Sequence, residues 1–301
     1  MSVGLGVSLA ILAYSMANIG SVLQKKAASD LPNIEDASLK DNLRNFLGNW
    51  IWMAGWIMTT IQWYIYIIAL PMAPISLLSA MMGVGMVVLV IFSYFYLKEP
   101  VKRLEIFGTA IIIVGVVALN LTNREDISAA INLEEMIGIF SKPAALILTV
   151  VLFVLIVVPI VFSVLNEFKY ADVIFGIGAG ILGGIGGLYS KAMMSGFESP
   201  GISLAIQSWQ WWIFLVLLTI GNMGLAPVQQ FGFQKGKAVV VAPLTFVTIL
   251  VVGVLGGVVI FSEWEGLDPV VVTVKTIAIV VIVIGVAILS SSTTDEESLQ
   301  E

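Results

Sequence analysis

Gly20-Ser21-Val22-Leu23-Gln24-Lys25, at the end of the first apolar stretch, returns 166 residues later as Gly186-Gly187-Leu188-Tyr189-Ser190-Lys191. The echo is not isolated. Ala69–Glu99, which closes in Leu97-Lys98-Glu99, is matched by Gln234–Glu263, which closes in Phe261-Ser262-Glu263. Val114-Gly115-Val116-Val117-Ala118-Leu119 is matched by Ile284-Gly285-Val286-Ala287-Ile288-Leu289. A four-segment apolar pattern therefore occurs twice, and five apolar stretches separate the start of one copy from the start of the other. An odd offset makes each helix enter a membrane opposite to its counterpart, which defines an inverted repeat.

Composition supplies the membrane. Of 301 residues 59% are hydrophobic and 11% charged, with a mean hydropathy of +1.03. A water-soluble domain cannot bury that much apolar surface, so lipid must solvate most of the chain. The net charge of −6 collects in loops and in Asp295-Glu296-Glu297, and no long basic cluster offers a nucleic-acid surface. With no Cys and no His, disulfides, Cys/His zinc sites, His-ligated haem and Ser-His or Cys-His nucleophiles are excluded. No cofactor is expected.

A span needs about 20 apolar residues, and the chain offers them at 3–25, 50–70, 74–97, 104–121, 144–164, 172–195, 210–233, 239–262 and 270–290. The predicted fold is an all-α integral membrane protein of nine transmembrane helices: two inverted four-helix repeats, 1–122 and 165–290, plus a connecting helix. Residues 123–164 form an amphipathic linker and the fifth span, and 291–301 an acidic tail. In the linker Ile127, Ile131, Met136, Ile137 and Phe140 recur at helical spacing, which predicts a helix lying on the membrane. The polar link 26–49 reads as a surface loop with room for a short interfacial helix, and Pro71-Met72-Ala73-Pro74 as a tight turn. The basic pair Lys25-Lys26 follows the first apolar run instead of preceding it, which predicts an uncleaved helix with its N-terminus outside. Cytoplasmic segments would then hold Lys25, Lys26, Lys40, Arg44, Lys98, Lys102, Arg103, Lys169, Lys235 and Lys237, against Arg124, Lys142 and Lys191 outside. That bias obeys the positive-inside rule and puts the C-terminus in the cytoplasm, with the plasma membrane the expected location.

Polar groups inside hydrocarbon are costly, so each is a candidate. Tyr14, Asn18, Ser21 and Lys25 share one face of span 1, and the matching positions of span 6 are Gly180, Gly184, Gly187 and Lys191. One wall would be polar and the other smooth, with room for a solute between them, unless Lys25 and Lys191 only snorkel to opposite interfaces. Gln62 and Tyr66 share a face of span 2 beside Trp63 and Tyr64. Span 7 carries Asn222, Gln229 and Gln230, with Pro227 either breaking the helix to expose carbonyls or only kinking it. Gly176, Gly180 and Gly184 form a double G-x-x-x-G, read as close packing or as a sliding surface. Thr245 and Thr248 of span 8 are expected to bond their own backbone. Trp50, Trp52, Trp209, Trp211 and Trp212 read as an interfacial belt. No Asp or Glu stands in the middle of a span, Lys275 is the charge placed deepest, and Glu99 and Glu263 close paired spans. Residue types alone assign no metal-ligand set.

The chain resembles the NIPA-like magnesium transporter family, a branch of the drug/metabolite transporter (EamA-like) superfamily, over about residues 5–290. The resemblance rests on Gly20-Ser21-Val22-Leu23-Gln24-Lys25-Lys26-Ala27, on the acidic linker Leu133–Ala145 with its Pro before span 5, on Tyr189-Ser190-Lys191-Ala192, and on Ala242-Pro243 through Phe261-Ser262-Glu263-Trp264. It departs where the family's Gly-Glu pair in span 2 becomes Ile61-Gln62, and where its Asn-rich stretch in span 7 becomes Ala226-Pro227-Val228-Gln229-Gln230.

The resemblance implies alternating-access transport of a divalent cation, Mg²⁺, held by amides, tyrosines and carbonyls. The residues by themselves also suit a small polar or amphipathic organic solute. The candidate substrate-binding residues are Asn18, Lys25, Gln62, Tyr66, Lys191, Asn222, Gln229 and Gln230. An intramembrane enzyme would need paired Asp residues, a Ser-His pair or a metal cluster in the spans, so no enzymatic activity is expected. A scaffold would need an interior free of polar groups, which Asn18, Gln62 and Asn222 contradict. Expected partners are the solute or Mg²⁺, the lipid bilayer and a second copy in a homodimer, with no nucleic acid.

Overall fold

The computed structural model describes residues 3–69, 72, 78, 81–98, 101–121, 132–198, 200–262 and 264–297. Among these the chain is helical and turns, with no strand. In order the helices are α1 (Val3–Asp30), α2 (Leu39–Gly48), α3 (Trp50–Ala69), α4 (Met82–Phe92), α5 (Arg103–Leu121), α6 (Leu133–Phe140), α7 (Pro143–Leu165), α8 (Ala171–Glu198), α9 (Ile202–Ala205), α10 (Trp209–Lys235), α11 (Ala238–Val259) and α12 (Pro269–Glu297). A π-helical turn, Ser93–Leu97, continues α4. Among the described residues six helices, α1, α7, α8, α10, α11 and α12, are long and apolar enough to cross a membrane. On α7, Ile147, Val150, Val154, Val158 and Val161 are all about half exposed or more, a surface that only hydrocarbon solvates. The protein is an integral membrane protein.

The chain divides into two compact units. The first comprises Met1–Glu125, Gln230–Pro243 and Asp268–Glu301, the second Asp126–Gln229 and Leu244–Leu267. In the first, α1 packs on α3 through a glycine crossing: a Cβ on Gly20 would lie 2.7 Å from the Gly55 carbonyl, and a Cβ on Gly55 2.5 Å from that of Gly20. In the second, Gly221 on α10 meets the backbone of Gly186 on α8 in the same way. Close approach of this kind draws helices together in lipid, where burial of apolar surface gives them no mutual attraction. α5 and α12 interlock reciprocally, Gly115 against Ile282 and Gly285 against Ile112. The double G-x-x-x-G of α8 packs tightly on α11, with Gly180 against Thr248 and Gly184 against Val252, and Thr245 Oγ1 donates 3.1 Å to the Gly176 carbonyl. That bond runs between helices.

α2 begins with Ser38 as its cap, accepting from the Asp41 amide at 3.2 Å. Leu39, Leu43 and Leu47, one turn apart, stand exposed on it, an apolar stripe that suits the membrane interface. α6 is amphipathic as its spacing predicts, but Leu133, Met136 and Phe140 are buried in the second unit. Phe140 packs there against Tyr189, Phe214 and Phe261, so the apolar face meets protein and not lipid. Ile127 and Ile131 lie outside the described residues, as do Pro71, Ala73, Pro74, Glu99, Arg124 and Glu263. Pro227 sits inside a continuous α10 and does not break it. In the expected tryptophan belt Trp50, Trp209 and Trp212 are exposed, whereas Trp52 and Trp211 are buried, and the Trp211 indole donates 3.0 Å to the Met193 carbonyl.

Candidate functional site

The polar face of α1 is buried. Asn18, Ser21, Gln24 and Lys25 are each at most 8% exposed. Asn18 and Ser21 use their donors locally, Nδ2 of Asn18 reaching the Tyr14 carbonyl at 2.8 Å and the Ser21 hydroxyl the Ala17 carbonyl at 3.0 Å. Oδ1 of Asn18 is buried with no hydrogen-bond partner among the described residues. Gly85 of α4 makes room for this face, since a Cβ there would lie 2.7 Å from Asn18 Nδ2. In the second unit Gly184, 166 residues after Asn18, faces Val252. The Tyr66 ring meets Tyr14 edge-on at 5.4 Å between centroids.

One and two turns further along α1, two adjacent residues reach the end of α10. Nε2 of Gln230 donates 2.8 Å to Oε1 of Gln24, whose own Nε2 donates 3.3 Å to the Thr59 hydroxyl on α3. The Lys25 ammonium donates to the Phe233 carbonyl. Phe233 is in the last turn of α10, where backbone carbonyls lack helical donors and the helix dipole is negative, so a cation is favoured there. Gln230 is 2% exposed, and its Oε1 has no partner among the described residues. Gln234 extends the fastening, donating 3.1 Å to the carbonyls of Ala28 and Pro32 and accepting 3.0 Å from the Ile34 amide. Lys235 pairs with Glu35 at 2.8 Å, and Lys237 with Glu105 at 3.4 Å. Glu105 is 1% exposed and also accepts 2.9 Å from the Lys102 amide.

In the second unit Lys191 is exposed, with its ammonium 4.0 Å from the centroid of Phe261. It edges a cavity of about 230 Å³ lined by Gly183, Gly184, Gly187, Leu188, Ile249, Gly253 and Phe261. A Cβ on Gly187 or Gly253 would meet nothing within 4 Å, so these glycines leave the space open. Asn222 is exposed and bonds the Leu218 carbonyl at 3.2 Å, while Gln229 is buried.

The structure thus brings Lys25 and Gln230 together beside Gln24, and sets Asn18 about two turns away on the same α1 face, with Tyr66 of α3 packed on Tyr14. Gln62 is half-buried on α3, where the residue that reaches the amide cluster is Thr59, one turn earlier. Lys191, Asn222 and Gln229 belong to the other unit. Sequence reasoning missed Gln24, Gln234, the Phe233 carbonyl and the Glu105–Lys237 pair. Gln24 had a signal, for it follows Ser21 by three residues on the polar face of span 1. Among the described residues no three acidic side chains cluster as a metal site. Any cation here would be held by amide and carbonyl oxygens, and by the waters it keeps.

Comparison with known proteins bears on what that cation is. The family described as Magnesium transporter NIPA matches residues 1–295. "Probable magnesium transporter NIPA9" of Arabidopsis thaliana is 26% identical over 308 aligned residues, covering 95% of this chain and 82% of that protein. "Probable magnesium transporter NIPA6" of the same plant is 20% identical, covering 82% of this chain and 75% of that protein. No solved structure matches. With the match running nearly end to end, the chain belongs to the NIPA magnesium transporter family.

Proposed function

We propose that the protein carries Mg²⁺ across the membrane, holding the ion at the buried amide cluster where α1 meets the end of α10. The observation that carries this reading is Gln230 Oε1, a buried amide oxygen of the cluster with no hydrogen-bond partner among the described residues, in a member of a magnesium transporter family; Asn18 Oδ1, about two turns away on α1, is another. A buried polar atom left unpaired is costly, and ion pathways are where membrane proteins bear that cost. Mg²⁺ accepts oxygen ligands only, loses water reluctantly and so keeps several waters. Neutral amides that grip a partly hydrated ion are adequate ligands, which suits a chain whose described residues hold no acidic metal cluster. Family membership does not favour the organic-solute alternative.

Around this site the reading keeps nine spans. To the six long apolar helices it adds α3, α5 and α4 with its π-helical turn; at 1.5 Å per residue the 20 residues of α3 reach about 30 Å. The inverted repeat is supported by recurring contacts: Gly20 on Gly55 and Gly186 on Gly221 are the same crossing 166 residues apart, and Gly115 and Gly285 are mutual. The contacts of Lys25, Lys235 and Lys237 gather the segments assigned to the cytoplasm at one end of the first unit, which supports an outside N-terminus. We place the protein in the plasma membrane. The test of the site is Gln230→Leu and Gln24→Leu in proteoliposomes. Each is expected to raise the KM for Mg²⁺ by about tenfold, since losing one ligand amide removes about 1.4 kcal/mol of ion binding. Saturation curves identical to wild type would move the site elsewhere.

A further inference from the structure

We infer that Lys25 is a tethered cation that occupies the transported ion's own oxygen site, so that loading Mg²⁺ and loosening the end of α10 from α1 are a single competition. This rests on the Mg²⁺ reading above and assigns a regulator to the same site. The argument is geometric. Gln24 and Lys25 are neighbours on α1, and they engage Gln230 and Phe233, which are one turn apart on α10. Three neutral oxygens are thus presented by neighbouring residues at this contact: Oε1 of Gln24, Oε1 of Gln230 and, one turn on, the Phe233 carbonyl. The carbonyl already binds the ammonium, and Gln230 Oε1 is buried with no hydrogen-bond partner among the described residues.

An ammonium and a dication seek the same ligands here, oxygen lone pairs at the negative end of a helix, and their charges repel. Mg²⁺ therefore enters as Lys25 withdraws. Withdrawal has a mechanical consequence, because Lys25 is one link in a fastening that continues through Gln234 to Ala28, Pro32 and Ile34 and through Lys235 to Glu35. Losing the Lys25 link weakens the hold of α1 and the segment after it on α10. The ion thereby prepares the movement that carries it.

The test is a Mg²⁺ titration of the full-length protein in detergent micelles, followed by equilibrium dialysis, for wild type, Lys25→Met and Lys25→Gln. If the ammonium holds the site at least nine-tenths of the time, removing it lowers the apparent Kd for Mg²⁺ by about tenfold or more. Lys25→Gln, which keeps a donor without the charge, falls between. A residue that only ties helices together predicts the opposite, weaker binding in a loosened protein. Unchanged or weaker Mg²⁺ affinity in folded Lys25→Met overturns the inference. Should Lys25→Met not fold, amine labelling of wild type decides: Mg²⁺, but not Na⁺ at equal ionic strength, is expected to increase modification of Lys25, with Lys26 as the internal reference. Lys25 labelling indifferent to Mg²⁺ overturns it. Saturable uptake by wild type with an indifferent Lys25 sinks this inference alone, whereas absence of wild-type uptake removes the transport reading and this inference with it.

Discussion

Glu105 shows how one residue's burial changes its meaning. At the first turn of α5 its carboxylate is 1% exposed, held by the Lys102 amide and by Lys237, whose side chain is 15% exposed. A carboxylate at a helix N-terminus is favoured by the dipole, and its opposite charge offsets much of the cost of burying it. The partners are unequal, since Lys237 retains some water and Glu105 retains none. Lys237→Met is therefore expected to destabilise the protein by roughly 3 kcal/mol, more than Glu105→Gln, and the double variant to recover much of the loss. Thermal unfolding in detergent checks this, and equal losses in the two single variants would contradict it. None of this was legible in the sequence, where Glu105 stands among Lys102, Arg103 and Leu104 like any solvated helix start; only the fold brings Lys237, 132 residues away, against it. Asn18 and Lys25 were legible, because helical periodicity places both on one face and lipid forbids that face to look outward. Gln230 was legible as a polar residue in a span, but its partner Gln24, 206 residues distant, was not.

At the scale of helices, glycine spacing announced close packing but could not name the neighbour. The structure supplies it: Gly20 with Gly55, Gly186 with Gly221, Gly115 with Ile282. Where a Cβ would press on backbone the helices must separate, so Gly55→Ala and Gly221→Ala are each expected to cost about 1–3 kcal/mol. Gly4→Ala, whose Cβ would meet nothing within 4 Å, is the control and is expected to be neutral or slightly stabilising. Similar unfolding temperatures for all three would contradict the crossings. Glycine on either helix serves the same end: Gly85 leaves room for Asn18 and Tyr14 of α1, and Gly184 leaves room for Val252 of α11. α6 was legible as an amphipathic helix from its period, but not as to which solvent meets its apolar face. Phe140 alone does not disclose that Tyr189, Phe214 and Phe261 await it, and protein and lipid present the same polarity to an apolar stripe.

For the whole molecule, composition made the membrane legible, and the motif repeated in the sequence pointed to a transporter, because such repeats recur among secondary transporters. The identity of the cargo was not legible from residue types, since amides and carbonyls serve a cation and an organic solute equally; membership of the NIPA family leads to Mg²⁺. The orientation has a direct check, because the chain contains no Cys and any introduced thiol is unique. Ser203→Cys, before α10, is expected to react with an impermeant maleimide on intact cells, and Leu39→Cys, on α2, only after permeabilisation. The reverse pattern would invert the topology. The central claim is that this chain, with buried amides and no acidic metal cluster among its described residues, moves Mg²⁺. Initial-rate uptake into proteoliposomes loaded with a Mg²⁺-sensitive dye measures it against protein-free liposomes. The account predicts uptake that rises with external Mg²⁺ and saturates; uptake from folded protein equal to that of empty liposomes at every Mg²⁺ concentration would contradict it.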